Sequence, residues 1–295
     1  MTRTSGARNI VAFEGRDEIA TTESQDIKHL ANASNQSPLE QFLATLSHQR
    51  NYLSWIATRH QDLTAAREQL GERAPKPATY RKYRWYSEQL LLLEAINAFE
   101  TFYKTTMVRL GREIRRYVPP SRIKGSVEAR VLWNISGATS IPALIFEHQL
   151  FHDLDTIDEA TQMLVNAKRY KSSNANASAA HLALLRALRC TFQIRHTLSH
   201  NQGMVTNSDS VKFKVAGFKA AGAAIIDPTK DALGESVRRF LEQEANQFTV
   251  WLIDKTAEYL ATPIAANGAP LPMRLKDKIV AAIGSTPRLE ALPWV

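Results

Sequence analysis

The sequence predicts a mainly α-helical protein, a bundle of four to five long helices, with one short β-hairpin suggested near residues 205–226. Three observations carry this. Apolar residues recur every three or four positions over long stretches. Those stretches stop at prolines, glycines or polar caps. Only 12 Gly and 12 Pro occur in 295 residues, which argues against a turn-rich all-β chain. Hydrophobic residues make up 44%, enough to fill the core of one large domain or two small ones.

The elements follow in order. Residues 1–37 are rich in Thr, Ser, Asn and Asp and read as a mobile leader. Ser37-Pro38-Leu39-Glu40 is a helix start, with Ser as cap, Pro in the first turn and an acid near the positive end. Leu43, Leu46, Tyr52 and Ile56 keep helical spacing to about Gln69, so residues 38–78 form an N-terminal helical extension. Gly71 to Pro77 breaks it. A long helix runs from about Thr79 to Tyr117, with Leu92, Ile96, Phe99 and Tyr103 as its stripe and Pro119-Pro120 as its stop. Residues 121–140 are irregular. Pro142 to about Ala167 reads as one helix, with Asp153 as the place for a break. Ser172 to Ser178 is a polar loop ending in a capping residue. The next helix runs from about Ala179 to Asn201, with Gly203 as its stop. Val211-Lys-Phe-Lys-Val215 alternates apolar and basic, the pattern of a strand or hairpin. Asp227-Pro228 opens the last long helix, to about Leu260. The bundle thus occupies 79–262, and 263–295 is a C-terminal tail with one helical stretch near 274–283. No internal repeat or low-complexity tract occurs.

The formal net charge of +8 suits a polyanionic partner, and a solvated basic surface accounts for it as well. Cys190 is the only cysteine, so no disulfide within the chain and no cysteine-based zinc site is available; this fits a reducing cytoplasm. No apolar run approaches the roughly 18 residues of a membrane span. Met1 to Ala20 lacks a signal-peptide core, and Glu14, Asp17 and Glu18 count against a transit peptide. No membrane partner is expected. The absence of a Gly-rich phosphate loop and of a Gly-x-Ser-x-Gly elbow argues against P-loop and serine-hydrolase chemistry.

The chemistry concentrates on the 179–201 helix. Leu184, Leu185, Leu188 and Phe192 form its apolar stripe, Arg195 and Ser199 continue it, and His196 and His200 border it. Arginine on a core face is rare unless paired or functional. The spacing itself says little. With 23 Arg and 8 His, chance gives about two such pairs, and Arg189–His196 also matches. It is the position on the core face that singles out Arg195.

The segment Ile194-Arg195-His196-Thr197-Leu198-Ser199-His200-Asn201-Gln202-Gly203 resembles the motif of HEPN-superfamily nucleases. These carry Arg, usually a polar residue, three to five more, then His near the end of a bundle helix, often with a polar residue and Gly following. Arg195 and His200 are the matching pair. His196 stands where Asn is commonest in the family, which keeps polarity. Leu91 to Phe102 resembles the family's first bundle helix, and the likeness covers roughly residues 80–260. It implies a HEPN-like helical bundle and a metal-independent endoribonuclease without a cofactor. It further implies a homodimer and a role as toxin or antiviral-defence effector, with an antitoxin or defence-system partner. The alternatives are a HEPN-type module that binds RNA, nucleotide or protein without cutting, and an adaptor in which the Arg and His are satisfied core groups.

Cleavage of RNA by its own 2′-hydroxyl needs a base for that proton, positive charge on the five-coordinate phosphorus and an acid for the leaving 5′-oxygen. Histidine titrates near neutrality, and arginine offers a permanently charged fork to phosphate. One His cannot serve both sides of an in-line displacement, and a two-fold dimer supplies a second. The candidate catalytic residues are therefore Arg195, His200 and His196. Glu94 and Glu100 are candidates to orient them, with Ser199 and Asn201 as neighbours. Arg81-Lys82-Tyr83-Arg84-Trp85-Tyr86 interleaves cations and rings, as nucleic-acid surfaces do, and Arg112, Arg115 and Arg116 add a basic helix end. Both also read as solvated helix ends. Glu147-His148 and His152 hold the helical i, i+4 metal spacing, as do His196 and His200. Without a His-Glu-x-x-His order or a third ligand, no metal is assigned.

Overall fold

The computed structural model describes residues 36–124, 141–146, 149–171, 178–219, 221–262 and 272–284. Residues 1–35 of the expected leader, most of the 121–140 segment, the Glu147-His148 pair and most of the Ser172–Ser178 loop fall outside them.

Eight α-helices are present among the described residues. They are α1 (Pro38–Gln69), α2 (Pro77–Ile114), α3 (Ile141–Phe146), α4 (Leu154–Val165), α5 (Ala179–Asn201), α6 (Asn207–Val215), α7 (Leu233–Leu260) and α8 (Met273–Ile283). The start of α1 is a capping box. Ser37 Oγ accepts from Glu40 N at 3.2 Å, and Glu40 Oε2 accepts from Ser37 N at 2.9 Å. Two orphan donors are satisfied there.

Helix α2 is the axis of the fold and packs against α1, α3, α4, α5, α7 and α8. From Leu92 onward it buries Ile96, Phe99, Tyr103, Met107, Leu110 and Ile114 at helical spacing. Around them gather Leu39, Phe42 and Leu46 of α1, Leu185 and Leu188 of α5, and Leu241, Phe248 and Leu252 of α7. The N-terminal helix thus contributes to the same core as the bundle. Helix α8 does so through Ile279 and Ile283. Each such side chain contributes about 1.5–3 kcal/mol on burial. At Gly111, a Cβ would sit 2.9 Å from Pro142 Cβ, so glycine lets α3 cross α2 at close range.

The 142–167 stretch is two helices, broken where the sequence offered a break, and Asp153 caps the second, accepting from Asp155 N at 3.3 Å. One expectation about helix bounds is corrected. The last long helix begins at Leu233 instead of Pro228. Asp231 and Ala232 take positive φ (53° and 54°) after an Asx turn at Asp227, and this interrupts any earlier start.

The expected β-hairpin at 205–226 is also corrected. Residues 207–215 are helix α6, and no strand is present among the described residues. A second capping box overrides the alternation. Thr206 Oγ1 accepts from Asp209 N at 3.1 Å and Asp209 Oδ2 accepts from Thr206 N at 3.0 Å. On a helix Phe213 turns inward while Val211 and Val215 face out, at 58% and 77% exposure. All that remains of sheet pairing is one antiparallel bridge, Met204–Ile225. Bonds from Val205 N to Ala224 O and from Ile226 N to Gly203 O, both 2.8 Å, flank it.

Candidate functional site

The last turns of α5 carry the Arg–His segment, and α2 and α6 hold it from two sides. Gln202 and Gly203 end the helix with φ of 51° and 83°, as the sequence predicts for Gly203. A Cβ at Gly203 would lie 2.8 Å from Gln89 Nε2, so glycine also allows α2 to approach. Gln89 Nε2 in turn donates to Ile226 O at 3.2 Å, tying the bridge segment to α2.

Arg195 is half-buried and faces α2. Its Nε donates to Asn97 Oδ1 at 3.0 Å and stands 3.3 Å from Glu100 Oε1. One N–H serves one good acceptor. Glu100 Oε1 is accordingly buried with no hydrogen bond among the described residues and balances the guanidinium through charge alone. Burial pushes the Glu100 carboxyl above its usual range, and Arg195, His152 and Lys104 oppose that rise. The Nη atoms of Arg195 make no hydrogen bond to any described residue.

Glu94 does not join this pair. It is exposed and accepts from Gln49 Nε2 of α1 at 3.0 Å. Of the two acids expected to orient Arg195, only Glu100 reaches it. Asn97, one turn before Glu100 on α2, was the unseen partner.

His196 and His200 lie one turn apart with ring centroids 4.7 Å from each other. His196 is half-buried, and His200 and Ser199 are exposed. Desolvation lowers the pKa of His196, and the nearby charges of Lys212, His200 and Arg195 lower it further, against the pull of Asp209. These effects favour the neutral form of His196.

Asn201 is taken up by structure. Its Nδ2 donates to Asp209 Oδ2 at 3.1 Å, while Gln193 Nε2 donates to Asp209 Oδ1 at 2.8 Å. The buried Asp209 carboxylate therefore joins the end of α5 to the start of α6. The Thr206-x-x-Asp209 capping pattern was the signal for it in the sequence.

The expected RNA-contacting residues form two separate groups. Arg81, Lys82 and Arg84 are exposed at the start of α2, with Trp85 half-buried between exposed Tyr83 and Tyr86. Arg112, Arg115 and Arg116 are exposed at its other end. At about 1.5 Å per residue, each group lies roughly 20 Å along α2 from Asn97. Neither is part of the Arg195 site.

Below His196 opens a cleft of about 470 Å³ between α5, α6 and the start of α4, lined by Arg189, His196, Lys212, His152, Asp153, Gln193 and apolar side chains. His152 Nδ1 is buried without a hydrogen-bond partner among the described residues. Among the described residues no group of three His, Cys, Asp or Glu side chains is placed to hold a metal ion, and no helix is long and apolar enough to cross a membrane.

No family model matches this chain, and neither does any curated protein or solved structure.

Proposed function

We propose that this chain is a HEPN-type endoribonuclease that cuts RNA through its 2′-hydroxyl without a metal, using Arg195, His196 and His200. The observation that carries the reading is the tether of Arg195. Asn97 and Glu100 engage its Nε from α2, and this orients the guanidinium while leaving the Nη edge available for phosphate oxygens. A neutral His196 beside it has the protonation state of a general base, and His200 is open to solvent at the helix end.

The proton on the leaving 5′-oxygen must come from the opposite side of the phosphorus. A second copy supplies it. Exposed Leu90, Met204 and Ile225, at 50%, 53% and 56%, lie beside the end of α5, linked through the Gln89–Ile226 bond and the Met204–Ile225 bridge. Self-association over these residues brings two sets of Arg195 and His200 to one cleft. A role as toxin or defence effector, with an inhibitory partner, belongs to the same proposal.

The test is cleavage of single-stranded RNA by the purified chain, with and without excess EDTA. Products ending in 2′,3′-cyclic phosphate, made equally well with chelator, are expected. Products with 3′-hydroxyl ends, or loss of cutting on chelation, overturn the mechanism. RNA binding without any cutting favours the binding-module alternative.

A further inference from the structure

The cleft beneath His196 has a composition that the cutting mechanism does not use. Four side chains able to carry positive charge line it: Arg189 and His196, two turns apart on α5, Lys212 of α6 and His152 before α4. Asp153 is the one acid on its wall. Arg189 and Lys212 are exposed, and neither forms an ion pair with a described carboxylate. Arg189 and Lys212 thus set two like charges around a concavity whose wall holds a single acid, an excess of positive charge suited to an anion.

Apart from Gln193, the rest of the wall is apolar. Phe192 forms part of the floor, and Val211 and Val215 form the α6 side with most of their surface bare. These valines point outward because the Thr206–Asp209 box winds residues 207–215 into a helix. Cations at one edge and an open hydrocarbon wall at the other match a phosphate ester joined to a flat, weakly polar ring. The volume of about 470 Å³ lies within the roughly 300–1,000 Å³ usual for small-ligand sites. A larger cleft of about 730 Å³ between α4 and α7 differs in kind. It sets Lys168, Lys171 and Lys255 against Asp155, Asp158 and Glu258, so it carries no net preference for an anion.

We propose that the α5–α6 cleft is a nucleotide site, in which Arg189, Lys212 and His152 take a phosphate and Val211, Val215 and Phe192 take the base. Its place in catalysis rests on the ribonuclease reading. Since His196 faces both the cleft and the Arg195 site, the occupant is the nucleotide next to the scissile bond, and the cleft fixes the strand there. The ligand chemistry does not rest on that reading.

The experiment uses the full chain and two probes, adenosine 5′-monophosphate and a fluorescent 2′-O-methyl RNA that cannot be cut. Arg189→Gln and Lys212→Gln should each weaken both probes about five- to tenfold, with thermal unfolding unchanged because both side chains are exposed. Val211→Ser should weaken adenosine 5′-monophosphate and leave competition by inorganic phosphate unaltered. Unchanged affinity in both cation variants overturns the proposal, as does tighter binding of an oligoglutamate peptide than of either nucleotide probe. If the chain cuts RNA and both cation variants cut with unaltered KM, the cleft proposal fails while the ribonuclease reading stands. If nothing cuts but the nucleotide binds through Arg189 and Lys212, the cleft stands without the ribonuclease. Weakening of the RNA probe alone assigns the site to a strand, and weakening of both extends it to free nucleotides.

Discussion

Arg195 on α5 donates its Nε proton to Asn97 on α2, 98 residues earlier in the chain, although the Glu100 carboxylate stands almost as near. The amide fixes direction and the acid supplies charge. The two roles are separable by substitution.

Arg195→Ala should destabilise the fold by about 1–3 kcal/mol, the range for leaving a buried polar group without its partner. Glu100 has only 14% of its side chain exposed and would lose its countercharge. The double variant Arg195→Ala, Glu100→Gln should recover part of that loss, because a neutral amide tolerates burial better. Arg195→Lys should keep most of the stability and lose most of the cleavage, since an ammonium has no planar fork. Urea unfolding and RNA cleavage read the two effects. A double variant no more stable than Arg195→Ala would show that the pair is not coupled.

His200→Ala should cut RNA about 10²–10⁴ more slowly, the usual loss for a general acid or base, with the fold intact because His200 is exposed. His196→Ala should slow cutting over the same range, because His196 stands as the base. Loss of cutting in His196→Ala with His200→Ala still active would move the site to the nested Arg189–His196 pair. Stability carries a separate signature of His196. Its folded pKa is depressed, so the unfolded chain takes up the proton first. Stability should therefore fall as pH drops below about 6.5, and His196→Gln should flatten that part of the profile. An identical slope in the variant would contradict a neutral, desolvated His196.

The stripe of α2, the cap at Ser37, the stop at Gly203 and the place of Arg195 on the core face were all legible, because each depends on residues within one or two turns. Three features were not. The alternation in Val211–Val215 points to a strand, and only the cap at Thr206–Asp209, reinforced by Gln193 and Asn201 from another helix, overrides it. The choice of Glu100 over Glu94 depends on whether α1 or α5 faces a given side of α2, which no local pattern records. Asn97 reads as an ordinary surface amide until α5 is packed against it.

Met204→Glu and Ile225→Glu each place a charge on the exposed apolar surface beside the end of α5. If the chain self-associates there, either change should reduce the dimer fraction by tenfold or more in light scattering, with helix content unchanged. Cleavage should fall with it. Mixing an Arg195→Ala chain with a His200→Ala chain should restore some cutting if sites are shared across the two-fold axis. A wild-type chain that cuts while monomeric at working concentration would remove the need for a partner copy.

Asp209 is the carboxylate on which the α5–α6 junction turns. It is 1% exposed and accepts from the backbone of Thr206 and from the side chains of Gln193 and Asn201. Burial alone would raise its pKa, but the hydrogen bonds from Thr206 and Asn201, with the nearby His196, outweigh it and hold the value below the ordinary range. A depressed carboxyl stabilises the fold above its unfolded pKa of about 3.9, and this contribution is lost as pH falls through the lower folded value. Asp209→Asn should remove that acid-side loss and lower stability at neutral pH by about 1–2 kcal/mol, since it weakens a cap and a junction together. Because α6 carries Lys212 and Val211, the same variant should also weaken adenosine 5′-monophosphate binding, whereas His200→Ala should not. Unfolding curves at pH 7 and below pH 4 check the first part. A variant with unchanged stability at pH 7 would mean that Asp209 does not hold the two helices together.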